Sequence, residues 1–271
     1  MTIAEIRGKI SATGANLSER MEDLLTSDVF GAFRYLPVHL GLLDFLETSC
    51  DRHGIPFSPA IQPIRANWSF WPYLEHPRAR PCEPDVVIGL EDKDENVHVV
   101  MVEAKYESGK SSLEDRGEKP NDQLARELHN LELLTARDLG WAETKRIVAR
   151  TMVYITQDTG IPLPDIRESL TEYQRKRKRE GEIFWTSWRY LPRTLEILID
   201  RTDDENHQAI LTDLFELLLK KHLTMFHGME PLEFAAGVED FAFYRIAPSR
   251  YIWPTTRIGL VGFDFYKAAT R

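Results

Sequence analysis

The sequence predicts an α/β protein whose central β-sheet is of mixed direction and is flanked by helices. Two runs rich in β-branched residues, over residues 85–91 and 97–105, are separated by the polar stretch DKDEN, a pattern typical of a β-hairpin. Segments with helical periodicity and further strand-like runs surround this hairpin. The order helices, hairpin, helix, strand, helix, strand indicates a mixed α/β sheet.

The elements before the hairpin are predicted to be helical and then irregular. Residues 17–47 have helical periodicity that begins near Ser18, with a second helix after Pro37. Residues 55–81 are rich in proline and aromatic residues, which favours an irregular connection with room for one strand.

The elements after the hairpin alternate between loops, helices and strands. In chain order they are predicted as a mobile loop over 106–120, a helix over 121–139 that stops at Gly140, a strand over 147–156, a helix over 164–179, a strand over 182–189, and helices over 193–200 and 206–223. The aromatic-rich final segment gives no clear assignment. Because no repeat or linker is visible, we expect a single domain over 1–271, with a core over about 17–190 and a helical and aromatic C-terminal extension over 191–271.

Composition and charge exclude several classes of protein. The 271 residues are 42% hydrophobic and 28% charged, unlike a disordered or fibrous chain. No apolar run approaches the roughly 20 residues that span a bilayer, and the start of the chain lacks a signal-peptide pattern, so we expect a cytoplasmic protein with no membrane partner. The net charge of −9 excludes a nucleic-acid binder that depends on a broad basic surface, but not an enzyme with a local basic groove.

The register of the hairpin places two carboxylates opposite each other. With the turn centred on Asp94, paired residue numbers sum to 188, so Asp85 faces Glu103. Like charges at such positions destabilise a sheet by up to about 1 kcal/mol. Lys105 lies on the same face as Glu103 because side chains alternate along a strand. Val99 and Val100 indicate a strand that is apolar on both faces and central in the sheet.

Two explanations of this cluster stay open. The first is a structural salt-bridged cluster in which Lys105 neutralises one carboxylate. The second is a Mg²⁺ site in which Asp85 and Glu103 supply oxygen ligands, while Lys105 orients or helps to deprotonate an attacking water.

The residues Glu83-Pro84-Asp85, followed by Glu103-Ala104-Lys105, resemble the P-D-x(n)-(D/E)-x-K signature of the PD-(D/E)XK, or restriction endonuclease-like, nuclease superfamily. In that family the aspartate begins one strand and E-x-K ends the next. Many members add an acidic residue from the first helix and a glutamine from the helix after E-x-K, and this chain offers Glu22, with Glu19 as a rival, and Gln123. The resemblance covers about residues 17–190 and implies a restriction endonuclease-like core.

The resemblance also implies a Mg²⁺- or Mn²⁺-dependent phosphodiesterase, an endo- or exonuclease whose expected substrate is DNA, with a role in defence or DNA processing. Asp85, Glu103 and the Ala104 carbonyl would ligate the metal, and Glu22 would hold the metal or its water. Lys105 would act on the nucleophile, and Gln123 would position the groups around it. Since duplex cleavage in this fold often uses two active sites, a homodimer is also expected. The alternative is a non-catalytic nucleic-acid-binding or protein-interaction module that retains the nuclease fold.

Contacts to nucleic-acid phosphates are predicted for five basic residues: Lys110, Arg175, Lys176, Arg177 and Lys178. For the four basic residues that follow residue 174, the alternative is that they lie solvated at the end of a helix and interact favourably with the helix dipole. The segment with Gly109, Lys110 and Ser111 is a near match to a phosphate-binding loop, but no apolar-periodic helix follows it, so a lysine-bearing loop beside the metal site is the better interpretation.

Aromatic and histidine side chains carry weaker signals. Trp68, Phe70, Trp71 and Tyr73, with Trp185 and Trp188, could stack on unpaired bases, but core packing is the more common role of such residues. The histidines show no H-E-x-x-H spacing, so a histidine-based zinc hydrolase is unsupported.

Overall fold

The computed structural model describes residues 17–106 and 119–225, with backbone only for residues 17–20. Lys110, most of the predicted loop over 106–120 and the aromatic C-terminal segment lie outside these residues. The chain divides into two compact units, residues 1–226 and 227–271, and every described residue belongs to the first. None of the described helices combines the length and apolar character that crossing a bilayer requires.

The described residues form six α-helices, five strands and two short 3₁₀ turns. The helices are α1 (Leu17–Phe33), α2 (Leu42–Leu46), α3 (Gln123–Leu133), α4 (Leu163–Arg177), α5 (Leu191–Ile199) and α6 (Glu205–Lys220). The strands are β1 (Arg65–Phe70), β2 (Val86–Glu91), β3 (Asn96–Ala104), β4 (Arg146–Thr156) and β5 (Ile183–Ser187), and the 3₁₀ turns cover Arg137–Leu139 and Trp188–Tyr190.

The strands form one mixed sheet in the order β1-β2-β3-β4-β5. Strands β1, β2 and β3 are antiparallel neighbours, whereas β3, β4 and β5 run parallel. In the hairpin Val86 pairs with Val102, and Glu91 pairs with Val97, which is the predicted register. The predicted α/β class, with a mixed sheet flanked by helices, is therefore confirmed.

Both faces of the sheet are covered by helices. On one face, Val100 and Val102 of β3 pack in a core with side chains of α1, α2, α5 and α6. On the other face, Val99 and Met101 pack with α3 and α4. Parallel neighbours require crossover connections, and α3 and α4 supply them between β3, β4 and β5. Strand β3 is consequently buried on both sides, as its apolar sequence predicted.

Two helices are shorter in the structure than the sequence predicts. Helix α1 ends at Phe33, and the chain turns before α2 begins at Leu42. Helix α3 ends at Leu133 because the Thr135 amide and hydroxyl both donate to Asp138, each at 2.7 Å, and start a separate turn. Gly140 ends that turn with a φ of 67°, the left-handed conformation that favours glycine.

Helices α5 and α6 belong to the same compact unit as the sheet. Leu195 of α5 and Leu211 of α6 are fully buried in the core that contains Phe30 of α1. Trp188 is also fully buried there and stacks on Phe45, with ring centroids 5.9 Å apart. The helices predicted to begin a C-terminal extension at residue 191 therefore share a core with α1.

A buried carboxylate stabilises the end of the sheet that lies near the hairpin turn. Glu91 is fully buried and accepts hydrogen bonds from Arg65 Nε at 2.9 Å, from Asn67 Nδ2 at 2.7 Å and from Lys145 Nζ. Burial alone would raise the pKa of Glu91. The three donors outweigh burial and lower this pKa from 4.5 to about 2. The ion pairs and hydrogen bonds of Glu91 thus tie β1 and the start of β4 to the central hairpin.

We expect Glu91→Gln to lower the free energy of unfolding by about 3 kcal/mol near neutral pH, because Lys145 loses its buried partner. Since the folded-state pKa of Glu91 lies below the unfolded value, its contribution is present above pH 4.5 and is lost as the pH falls toward 2. Urea denaturation at several pH values measures the difference between the variant and the wild type. The difference should shrink below pH 4.5, while Asp94→Asn in the exposed turn should change the free energy of unfolding little near neutral pH. A deficit that does not change with pH would show that Glu91 stabilises the fold through packing instead.

Candidate functional site

Five predicted site residues from separate parts of the chain come together at one edge of the sheet. Glu103 and Lys105 lie at the carboxyl end of β3, and Asp85 precedes β2 at the same edge because the two strands are antiparallel. Helix α1 contributes Glu22, and helix α3 contributes Gln123. All five side chains are buried or nearly so.

Lys105 connects two of the carboxylates. Its Nζ donates to Glu22 Oε1 at 3.0 Å and to Glu103 Oε1 at 2.6 Å. Gln123 Nε2 donates to the same Glu103 oxygen, and the Tyr106 amide donates to Glu22 Oε2 at 2.9 Å. The backbone of Lys105 is held in turn by β4, since its amide donates to the Ile155 carbonyl at 2.8 Å. The ammonium group therefore has a fixed position between helix α1 and strand β3.

Asp85 is oriented by two other donors. Trp71 Nε1 donates to Asp85 Oδ1 at 3.1 Å, and the Ala104 amide donates to Asp85 Oδ2 at 2.8 Å. The Trp71 amide also donates to the Asp85 carbonyl at 2.9 Å. Trp71 has a φ of 46°, which is uncommon for a large side chain and costs backbone energy. Such strain is compatible with a residue whose position serves the site.

Glu127 is a fourth carboxylate of the cluster that the sequence analysis missed. It lies four residues after Gln123 on α3, so both side chains point from the same face of the helix. Glu127 is fully buried, and neither of its oxygens has a hydrogen-bond donor; Glu103 Oε2 lacks one as well. The signal was present in the sequence, because Glu127 adjoins the apolar stripe of α3 at Leu124 and Leu128.

Burial and mutual repulsion favour the protonated forms of these acids. Burial raises the pKa of Asp85 well above 3.8, and repulsion by Glu103 adds to the shift. Burial, followed by repulsion from Glu127, raises the pKa of Glu103 well above 4.5. Burial raises the pKa of Glu127 from 4.5 to about 8, despite attraction by Lys105. The charged form of each acid is costly unless a cation accompanies it.

For Lys105, unlike the acids, the surroundings favour the charged form. Burial disfavours its ammonium form, but the carboxylates of Glu103, Asp85 and Glu22 outweigh burial and raise the pKa of Lys105 above its ordinary value. Lys105 is therefore a permanent cation at neutral pH. A single ammonium offsets only part of the charge on four carboxylates. Arg126 attracts the Glu127 carboxylate electrostatically but does not hydrogen-bond to it.

The carboxylate oxygens of this cluster are of the chemical type that binds a hard divalent cation. Carboxylate oxygens are the ligands that Mg²⁺ and Mn²⁺ prefer, and three of the oxygens here are buried without a donor. Among the residues that the structure describes, however, no three His, Cys, Asp or Glu side chains are grouped so that they could hold a metal as they stand. The Lys105 ammonium lies between Glu22 and Glu103 and hydrogen-bonds to both.

The predicted phosphate contacts have different surroundings. Arg175 and Lys178 are exposed at the end of α4, whereas Arg177 pairs with Glu132 at 3.5 Å. Lys176 Nζ donates to the Lys119 carbonyl at 3.4 Å, which places it beside the segment that leads into α3. The phosphate contacts of these four residues stay a prediction, and Arg177 would have to share its guanidinium between Glu132 and a phosphate.

Most of the aromatic candidates are core residues. Phe70, Trp71, Trp185 and Trp188 are buried, which agrees with the packing interpretation and not with base stacking. Tyr73 differs, since 63% of it is exposed.

Neither protein-family models, nor curated proteins, nor solved structures give a match to this chain. Any assignment of function therefore depends on the chemistry of the site.

Without a divalent cation, we expect the free energy of unfolding to fall as the pH rises from 4.5 to about 8. The folded-state pKa of Glu127 is raised over this window, so the folded protein binds more protons than the unfolded chain and loses that advantage as the pH rises. One such group gives a slope of up to about 1.4 kcal/mol per pH unit. Urea denaturation in EDTA measures the slope.

Glu127→Gln should make this slope shallower, because its amide does not titrate. Glu132→Gln on the same helix is the matched control, since hydrogen bonds and ion pairs that outweigh burial lower the pKa of Glu132 and leave it ionised across the window. An unchanged slope in Glu127→Gln would mean that Glu127 is not the group that couples stability to pH.

Proposed function

We propose that this protein is a Mg²⁺- or Mn²⁺-dependent nuclease with a restriction endonuclease-like core, and that DNA is its substrate. The observation that carries the proposal is the contact of Lys105 with Glu103 and Glu22 at the sheet edge where Asp85 lies. These residue types, on a strand pair and on helix α1, are the ones that the P-D…E-x-K resemblance assigns to metal-assisted hydrolysis.

Each side chain has a chemical task in this proposal. A cation held by Asp85, Glu103 and Glu22 would supply Lewis-acid stabilisation of charge on the scissile phosphate. Lys105 holds an ammonium beside Glu103, where it can orient an attacking water and stabilise negative charge on the phosphate. Gln123 fixes the rotamer of Glu103, while Trp71 fixes that of Asp85.

The electrostatics favour an active site over a purely structural cluster. A structural ion pair needs one carboxylate for one ammonium, but this cluster buries four carboxylates beside Lys105. Burying unpaired charge is unfavourable, and strongly perturbed acids of this kind concentrate at functional sites. The excess of acceptors also supports an enzyme over the alternative, a binding module that retains the fold without catalysis.

Cleavage of labelled single- and double-stranded DNA and RNA tests the proposal, with Mg²⁺, Mn²⁺ or EDTA in parallel. We expect metal-dependent cutting that falls by at least about 100-fold in Asp85→Asn and in Lys105→Met, since each change removes a group that acts on the reacting atoms. Asp94→Asn and Lys93→Ala are matched controls in the exposed turn of the same hairpin and should cut like the wild type.

Cutting that persists in both site variants would overturn the proposal. If no nucleic acid is cut in any metal, the binding module becomes the better explanation, and retention of the same nucleic acids on the protein would then support it.

We also propose that exposed side chains of the basic run contact nucleic-acid phosphates. Arg175→Ala and Lys178→Ala together should weaken DNA binding and reduce the slope of log K against log salt by about 0.9 for each lost contact. Fluorescence anisotropy in Ca²⁺ over a salt series measures this slope. Lys93→Ala serves as the control for loss of a surface charge, and an unchanged slope in the double variant would place the phosphate contacts elsewhere.

A further inference from the structure

We propose that Glu127 is a metal ligand and that a divalent cation binds between the carboxylates of Glu103 and Glu127. This inference deepens the proposed nuclease site and rests on the proposal that the site takes a divalent cation. It adds helix α3 to the elements that supply ligands. The signature resemblance assigns ligands only from the two strands and the first helix.

Several acceptor atoms of the cluster are already engaged by donors. Glu103 Oε1 accepts hydrogen bonds from Lys105 and Gln123. The two oxygens of Glu22 accept from Lys105 and from the Tyr106 amide. Glu103 Oε1 thus accepts two hydrogen bonds and each Glu22 oxygen accepts one, so these atoms are less available to a cation than oxygens without donors.

Three acceptor atoms of the cluster have no hydrogen-bond donor. They are Glu103 Oε2 and both oxygens of Glu127. Glu127 is fully buried and lies one helical turn after Gln123, whose Nε2 donates to Glu103, so the two side chains share the face of α3 that meets the cluster. Three buried carboxylate oxygens without donors on two neighbouring side chains require either a shared proton or a cation.

A two-carboxylate site suits the coordination chemistry of Mg²⁺ and Mn²⁺. Mg²⁺ is commonly bound through one or two carboxylates, with water and substrate phosphate completing its coordination. Such a site needs no third protein ligand, in keeping with the lack of a three-ligand group among the described residues. Glu103 is then the shared ligand, because its Oε1 stays with Lys105 while its Oε2 binds the cation.

The substitution Glu127→Gln distinguishes two possible roles of Glu127: a metal ligand, or a partner that shares a proton with Glu103. A protonated Glu127 that only donates to Glu103 can be replaced by the glutamine amide, which has nearly the same shape and is also a donor. A ligand cannot be replaced in this way, because the substitution removes one negative charge and one oxygen from the coordination set.

Isothermal titration of the full chain with MnCl₂ tests the inference in the wild type, Glu127→Gln and Glu132→Gln. We expect Glu127→Gln to bind Mn²⁺ more weakly by about 10- to 100-fold, a loss that even the hydrogen-bonded partners of metal ligands can produce. Glu132→Gln should bind like the wild type, because Tyr173 and Arg179 already occupy its carboxylate. Thermal melts in EDTA verify that both variants are folded, and Mn²⁺ should raise the melting temperature of Glu132→Gln more than that of Glu127→Gln.

Wild-type Mn²⁺ affinity in a folded Glu127→Gln variant would overturn the inference, as would a wild type that binds no Mn²⁺ at millimolar concentration. Cleavage assays on the same samples distinguish the two proposals. Weakened Mn²⁺ binding in Glu127→Gln supports the ligand role even if the wild type cuts no nucleic acid, in which case the nuclease proposal alone fails.

Discussion

The antiparallel register between β2 and β3 is the constraint on which the site depends. Because Val86 pairs with Val102, the start of β2 lies at the edge where β3 ends, and Asp85 comes to the same place as Glu103 and Lys105. A shift of one residue would turn Glu103 and Lys105 toward the opposite face of the sheet. The buried side chains on both faces of β3 oppose such a shift, so the packing that stabilises the fold also positions the acids.

The two ends of this hairpin show how differently one fold treats a buried carboxylate. Glu91, near the turn, receives three donors, and its pKa is lowered despite burial. At the other end, Glu103 shares Lys105 with neighbouring acids, and its pKa is raised. The first arrangement is complete without any added group and is typical of a structural ion pair. The second has more acceptors than donors, and this excess is the basis of the proposal that it binds a cation.

The crossover helices connect the sheet topology to the composition of the site. Helix α3 leaves the edge at which β3 ends, so its first turns lie beside Glu103 and bring Gln123 and Glu127 with them. Helix α4 packs against the segment before α3, where Glu172 accepts the Asn121 amide at 2.6 Å. The crossover helix that two parallel strands require therefore also contributes two side chains to the cluster.

Local patterns in the sequence determined the strands, the hairpin register and the mixed sheet. Alternation and turn position depend on neighbours a few residues away, so the sequence alone places Asp85, Glu103 and Lys105 together. Only the tertiary structure decided which distant side chains join them. The contact of Glu22 with Lys105, the burial of Glu127 without a donor and the pairing of Arg177 with Glu132 all depend on how whole helices pack. Helix packing is set by the shape of the entire core, and no local pattern in one sequence contains that information.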